Sequence, residues 1–179
     1  MTTITVPAEI TLADVAAMGD ADELHRYELT DEGELRVMMT PTPEHSRIVA
    51  RLFAWFVRHG FSDEQLRTDL GIYTGGGRQP DLTVWQGTAP DVGVVSVYVP
   101  VDGLLVAIEV VSRGSRQNDL VDKAREYAKA GIPRYWTVEQ DGSQPVTFRN
   151  LHSGAYDATA PRPLDWVLAQ APAAFDLQP

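Results

Sequence analysis

The sequence contains no cysteine. That excludes disulfides, thiolate metal sites and cysteine nucleophiles together, and makes a reducing, cytoplasmic interior the expected setting. No apolar run approaches the ~20 residues that span a bilayer, so neither a transmembrane helix nor a membrane partner is expected. Met1 to Ile10 carries no basic residue ahead of an apolar stretch, so a secretory leader is not expected either. Internal repeats and low-complexity tracts are absent. Basic charge is scarce: 15 Lys and Arg stand against 25 Asp and Glu, for a net charge of −10. Phosphate backbones repel such a chain, which argues against tight, non-specific grip on nucleic acid. It argues less against cleavage, because carboxylates gathered around a metal add negative charge by themselves. The local positive runs are Arg47, Arg51 and Arg58, then Arg113, Arg116, Lys123, Arg125 and Lys129.

What is present is the balance of a globular protein, with 44% hydrophobic and 22% charged residues over 179 positions. We expect one domain over 1–179, with its core at about 11–156 and an irregular, proline-containing tail at 160–179. Thr11 caps a short helix over 12–18 that Gly19 stops. Residues 27–29 and 34–38 form a hairpin around Asp31-Glu32-Gly33. Thr42 caps a second helix with Pro43 at its first position, and His45, Ile48, Val49, Leu52, Phe53 and Phe56 share one face of it. Strands follow at 71–74, 81–85 and 104–111, the last apolar enough to be buried on both faces. A helix over 119–130 ends at Gly131, with Pro133 beyond, and leads to a strand at 134–138. Residues 146–151 pair with the segment around Tyr156. The fold class is α/β of the mixed α+β kind: a central mixed sheet flanked by helices, with an N-terminal helix and hairpin.

Glu109 is the most informative residue. It lies inside Leu104-Leu105-Val106-Ala107-Ile108-Glu109-Val110-Val111, and a buried carboxylate normally needs a cation. The bland alternative is a strand end facing water. Asp81 follows Pro80 and opens an apolar strand, where an ordinary turn residue would also fit. Two carboxylates on neighbouring strands can converge on one Mg²⁺. Lys123 shares a helix face with Leu120, Ala124 and Tyr127, so its ammonium either reaches the helix edge or meets a buried anion, of which Glu109 is the obvious one. His45 starts the apolar face of its helix, a place where a histidine is more often a hydrogen-bonded structural group than a ligand. Glu28 is an acid inside a strand. His25, His59 and His152 have no identifiable partner. Gly75-Gly76-Gly77 lacks the Lys-Ser/Thr ending of a phosphate-binding loop and reads as a flexible hairpin loop.

These residues resemble the PD-(D/E)xK nuclease superfamily, and within it the Uma-type (Uma-two) family of restriction-endonuclease-like proteins. The resemblance runs from about Thr11 to about Tyr156. It rests on Tyr27-Glu28-Leu29 with the Gly33 turn, Met38 to Pro43 with His45, Pro80-Asp81-Leu82, and Ile108-Glu109-Val110-Val111-Ser112. It continues through Asp119, Lys123, Tyr127-Ala128, Gly131-Ile132-Pro133 and Tyr135-Trp136. It implies a restriction-endonuclease-like fold and metal-dependent hydrolysis of phosphodiester bonds. Asp81 and Glu109 would hold Mg²⁺ or Mn²⁺, with the Val110 carbonyl as a further ligand. Lys123 looks like the migrated lysine of the motif, because Val111 stands at the usual lysine position. His45 would assist proton transfer. Glu28, Ser112 and Tyr127 are site-adjacent. Ser112-Arg113-Gly114-Ser115 departs from the family's Ser-Pro-Ser-Thr and alters the loop beside the site.

The implied partner is nucleic acid, DNA more than RNA. The acidity leaves open a binding or regulatory module with weak or absent catalysis, or an enzyme acting on RNA or small nucleotides. A homodimer is expected, because two copies would pool their arginines across one nucleic acid. Trp55, Phe61 and the proline-rich tail are the candidate contacts.

Overall fold

The computed structural model describes residues 9–22, 24–91 and 98–179. Residues 1–8, on which the expectation about a leader mostly rests, lie outside the described residues. The elements in chain order are α1 (Leu12–Ala21), β1 (His25–Leu29), β2 (Leu35–Met39), α2 (Pro43–Arg58), β3 (Leu66–Arg67), β4 (Gly71–Tyr73), β5 (Gly77–Arg78), β6 (Leu82–Trp85), β7 (Tyr98–Val99) and β8 (Leu104–Val111). A wide π-helical turn, Asn118–Asp122, then leads into α3 (Lys123–Lys129). After it come β9 (Arg134–Glu139), β10 (Pro145–His152), β11 (Ala155–Ala158), β12 (Arg162–Pro163) and α4 (Leu164–Leu168). No helix among the described residues is long and apolar enough to cross a membrane.

Local chemistry accounts for most of these boundaries. Thr11 and Asp14 cap α1 reciprocally, side chain to backbone in both directions. Gly19 does not stop α1 as expected. The helix runs through it to Ala21, and the N–H of Asp22 closes the end on the Gly19 carbonyl. Thr42 caps α2 and Pro43 occupies its first position. Gly33, with φ of 83°, turns the β1–β2 hairpin. Gly131, with φ of 81°, ends α3, where the Ile132 N–H reaches back to the Tyr127 carbonyl.

Two mixed sheets form rather than one. The central sheet runs β11-β10-β9-β8-β6-β3, with β12 on β10; β8 and β9 are parallel across α3 and the other pairs are antiparallel. The strand expected at 71–74 belongs instead to a second sheet, ordered β2-β1-β5-β4-β7. It folds back through the glycines at 75–77, so that Gly77 pairs with Leu29 of β1.

The strand alternation of β8 divides the core. Val106, Ile108 and Val110 face α2, where Ile48, Leu52, Trp55 and Phe56 pack with Trp136. Ala107 faces α3 and the second sheet with Tyr127, Tyr135, Ile132 and Ile72. Glu109 lies on that second face, beside Ala107 in the alternation.

Two expectations about the surface fail. Trp55 and Phe61 are 0% and 2% exposed and therefore cannot serve as dimer contacts. The tail is not irregular: β12, α4 and a turn at Pro172–Phe175 place Leu164, Val167 and Leu177 in the core. The apolar spacing of Leu164, Val167 and Leu168 is helical, and the prolines flank the helix rather than interrupt it.

The glycine-rich hairpin is a close-packed joint. A Cβ on Gly76 would sit 2.2 Å from the Leu29 carbonyl oxygen and 2.5 Å from Thr30 backbone atoms. Neither partner is a side chain that can swing away. Gly76→Ala should therefore cost about 2–3 kcal/mol, the scale of overpacking a filled site. Chemical denaturation measures this, and an unchanged midpoint would refute the close approach.

Candidate active site

The register of the central sheet brings the two predicted carboxylates together. Leu82 pairs with Ile108, so Asp81, one residue before β6, falls opposite Glu109 on the same face. The Val110 N–H donates to Asp81 Oδ2 at 2.7 Å. A strand residue's N–H and C=O point to the same edge, and β6 has already ended at this level. The Val110 carbonyl therefore points past the end of β6, alongside Asp81. His45, in the first turn of α2, places Nε2 at 2.9 Å from Asp81 Oδ2. An ionised carboxylate only accepts, so the ring hydrogen is on Nε2. Nδ1 of the same ring is enclosed without a hydrogen-bond partner.

The wide turn before α3 aims the other side chains inward. The Lys123 N–H reaches the Asn118 carbonyl, five residues back, and Asp119 rather than Leu120 is buried. Lys123 Nζ lies 2.7 Å from Glu109 Oε1, 2.9 Å from Glu28 Oε1 and 3.8 Å from Asp119 Oδ1. The Tyr127 hydroxyl donates to Glu109 Oε1 at 2.9 Å. Asp81, Glu109, Lys123, His45, Glu28 and Tyr127 thus form one connected cluster. Ser112 sits at its rim, where it and Ser115 exchange hydrogen bonds of 3.0–3.1 Å that close the departed loop on itself. The other histidines lie elsewhere: His25 pairs with Asp22, His59 with the Trp55 carbonyl, and His152 ends β10.

Arg78 with its partner Glu126, Asp119 and Arg26 were not assigned to the site from the sequence. Arg78, wholly buried, makes a two-pronged ion pair with Glu126 at 2.6 Å per prong and reaches Glu28 at 3.0 Å. Asp119, noticed only within the family pattern, is buried beside Lys123. Arg26 binds Asp81 Oδ1 at 3.1 Å. Strand alternation was the available signal for Arg26, because it stands two residues from Glu28 on β1 and shares its face. Nothing in the sequence marks Arg78 as an interior residue, since it follows three glycines in what reads as a loop.

The cluster is short of positive charge. Its carboxylates are Glu28, Asp81, Glu109, Asp119 and Glu126, and its permanent cations are Arg26, Arg78 and Lys123. The consequences differ by position. Burial pushes the Glu109 carboxyl well above its usual range, and the charges of Asp81, Asp119 and Glu28 add to the rise that Lys123 opposes. Burial likewise raises Asp119 against the pull of Lys123. Burial would raise Glu28 too, but Lys123, Arg78 and the Gln79 N–H outweigh it and hold Glu28 below its usual value. Asp81 is lowered in the same way, with His45, Lys123 and the Val110 N–H overcoming burial. Burial would lower Lys123 and Arg78, yet their carboxylate partners raise both.

A cavity of about 540 Å³ opens on this cluster, with Arg26, His45, Asp81, Glu109, Val110 and Lys123 in its wall. Among the described residues no three His, Asp or Glu side chains are grouped to hold a metal ion. Asp119 and Asp122 also line the cavity, and the donors set side by side across the strands are the carboxylates Asp81 and Glu109 with the Val110 carbonyl. Mg²⁺ commonly takes one or two carboxylates and completes its shell with water, so the set and its charge deficit both fit a hard divalent ion. The expected basic runs are largely neutralised. Arg47 pairs with Glu44, Arg51 with Asp165, Arg116 with Glu139, and Arg125 and Lys129 with Asp31.

Lys123 is a structural group as well as a candidate catalytic one. Lys123→Met would leave Glu28 and Glu109 buried without their shared cation, at a cost of about 3–5 kcal/mol at neutral pH. The depressed Glu28 carboxyl fixes the sign of the pH dependence. Its stabilisation is complete above its ordinary value of 4.5 and is lost as pH falls through the lower folded value. The stability gap between wild type and Lys123→Met should therefore narrow as pH falls below about 4.5. Urea denaturation across that range measures it, and a variant as stable as wild type at pH 7 would contradict the shared-cation geometry.

Residues 12–178 match the family model Uma2, described as "Putative restriction endonuclease". Among solved structures the chain is similar to a "putative nuclease belonging to DUF820" from Anabaena variabilis ATCC 29413, at 16% identity and a TM-score of 0.62, with 83% of each chain covered. Likeness at that identity shows the fold, a restriction-endonuclease-like mixed α/β arrangement. No curated protein matches. With nearly its whole length matched, the chain belongs to the Uma2 restriction-endonuclease family.

Proposed function

We propose that the protein is a divalent-metal-dependent nuclease that hydrolyses phosphodiester bonds, with DNA preferred over RNA. The observation that carries this is the pair Asp81 and Glu109, set opposite each other across two strands at a cavity whose buried charges are short of cations. Asp81, Glu109 and the Val110 carbonyl would hold Mg²⁺ or Mn²⁺. Bound there, the ion would polarise a phosphate oxygen and lower the pKa of a water.

The remaining residues keep that pair in place and meet the substrate. His45 and the Val110 N–H fix one oxygen of Asp81. Tyr127 and Lys123 fix Oε1 of Glu109. Lys123 also orients the attacking water or offsets charge growing on the phosphate. Glu28 holds the ammonium in position for either role. His45 would pass a proton only by releasing Asp81. The loop closed by Ser112 and Ser115 borders the cavity and limits access beside Glu109.

The alternative, a binding module without cleavage, is favoured by one observation. Both oxygens of Asp81 already have donors, Arg26 on one and His45 with Val110 on the other. A cytoplasmic homodimer completes the proposal, its contact now sought at Trp166 of the tail, which is 44% exposed. Light scattering decides the oligomeric state.

The decisive experiment is a cleavage screen on single- and double-stranded DNA and RNA with Mg²⁺, Mn²⁺ or EDTA. Cleavage should require the metal and be abolished in Glu109→Ala, with the variant's circular dichroism unchanged. Full activity in Glu109→Ala, or in EDTA, would reject the assignment.

A further inference from the structure

Arg26 occupies an unusual position between two carboxylates. Its Nη1 lies 3.1 Å from Asp81 Oδ1 and its Nη2 lies 2.5 Å from Asp69 Oδ1. Arg26, Pro41, His45 and Asp81 also line a second cavity of about 370 Å³, so Arg26 borders both. Oδ2 of Asp81 is taken by His45 and the Val110 N–H. Arg26 therefore covers the one oxygen of Asp81 left for another ligand. A guanidinium at that distance repels a divalent ion, so the two compete for the same oxygen.

The second tether gives the competition a direction. Asp69 sits two residues after β3 with φ of 55°, a left-handed state that aspartate adopts more readily than most residues, and its carboxylate meets Arg26. Displaced from Asp81, the guanidinium remains held by Asp69 at the cavity wall. It then has a free N–H edge beside the two carboxylates, where the phosphate of a substrate must lie. A planar guanidinium cannot lose its charge, and its paired N–H groups match phosphate oxygens.

We propose that Arg26 is the site's internal counter-ion and its phosphate-binding group in turn. It neutralises Asp81 until a divalent ion takes that oxygen, and then binds the phosphodiester backbone while Asp69 holds it. This rests on the nuclease function proposed above.

The two roles predict affinity changes of opposite sign, which a merely structural arginine would not produce. Calorimetric titration with Mn²⁺ should show Arg26→Gln binding the ion about tenfold more tightly than wild type, the scale of one charge-assisted contact. Fluorescence anisotropy of a short labelled DNA duplex in Ca²⁺ should show the same variant binding about tenfold more weakly. Arg26→Lys, which keeps the charge and loses the fork, should fall between the two in both assays. Melting curves establish that the variants are folded. Mn²⁺ affinity that Arg26→Gln leaves unchanged or weakens overturns the counter-ion role. Tighter Mn²⁺ with undiminished duplex affinity overturns the phosphate role. Wild-type protein that binds no Mn²⁺ overturns this proposal and the nuclease function together, whereas the first two outcomes leave that function standing.

Discussion

The Lys123 ammonium, enclosed between Glu28 and Glu109, is the interaction on which the rest of the site depends. Each of its partners comes from a different part of the fold: Glu28 from the hairpin sheet, Glu109 from the central sheet, and Lys123 itself from α3. A buried charge is tolerable only where an opposite charge meets it closely, so this contact fixes how the two sheets and the helix sit together. Arg78 extends the same constraint, pairing Glu28 with Glu126 on α3. The cost of desolvating these groups is offset only when all of them arrive, which makes the cluster intolerant of partial assembly. A core of apolar residues alone would hold the layers together without specifying this registry.

The hairpin β1–β2 does more than cover a sheet edge. Alternation puts Arg26 and Glu28 on one face, and the cross-strand register places Met38 and Arg36 opposite them on the same face. One five-residue strand thus supplies both the group that steadies Lys123 and the group that covers Asp81. Gly76 and Gly77 let β5 approach closely enough to insert Arg78 behind them. The glycines therefore contribute to the electrostatics of the site without carrying any charge.

The legible parts of the sequence were those with a local cause. Caps, helical spacing and the apolar run around Glu109 identified α2, α3 and β8, and a carboxylate within that run pointed to a cation. Strand position and helix-face spacing raised Asp81 and Lys123 as candidates, and the family pattern gave them their roles. Long-range geometry was not legible in the same way. Trp55 looked like contact surface because part of its burial comes from the returning tail, where it meets Gln170 and Phe175 and which proline content had disguised as irregular; Phe61 packs on Phe56. Arg78 looked like a loop residue because its partners Glu28 and Glu126 are 50 and 48 positions away. Arg26 carries no motif, and its meaning appears only when Asp81 arrives from another sheet. The wide turn before α3 exchanged Asp119 for Leu120 on the inner face, a shift that regular helical spacing cannot anticipate.

A protein of net charge −10 faces a further constraint if it cuts a polyanion. Most of its surface cations are already paired with acids on the same chain, so they contribute little long-range attraction. Among the residues in the main cavity wall, the cations are Arg26, Arg36 and Lys123, against Asp81, Glu109, Asp119 and Asp122. With all four of those carboxylates ionised the wall is net negative and repels a phosphate. On the nuclease function proposed above, a divalent ion bound there would reverse its sign and, by releasing Arg26 from Asp81, would add a second positive group facing the substrate. On the nuclease function the metal is then required for substrate to enter, as well as for chemistry. Affinity for nucleic acid is in that case set at the site rather than spread across the surface, which reconciles an acidic chain with a phosphodiester substrate.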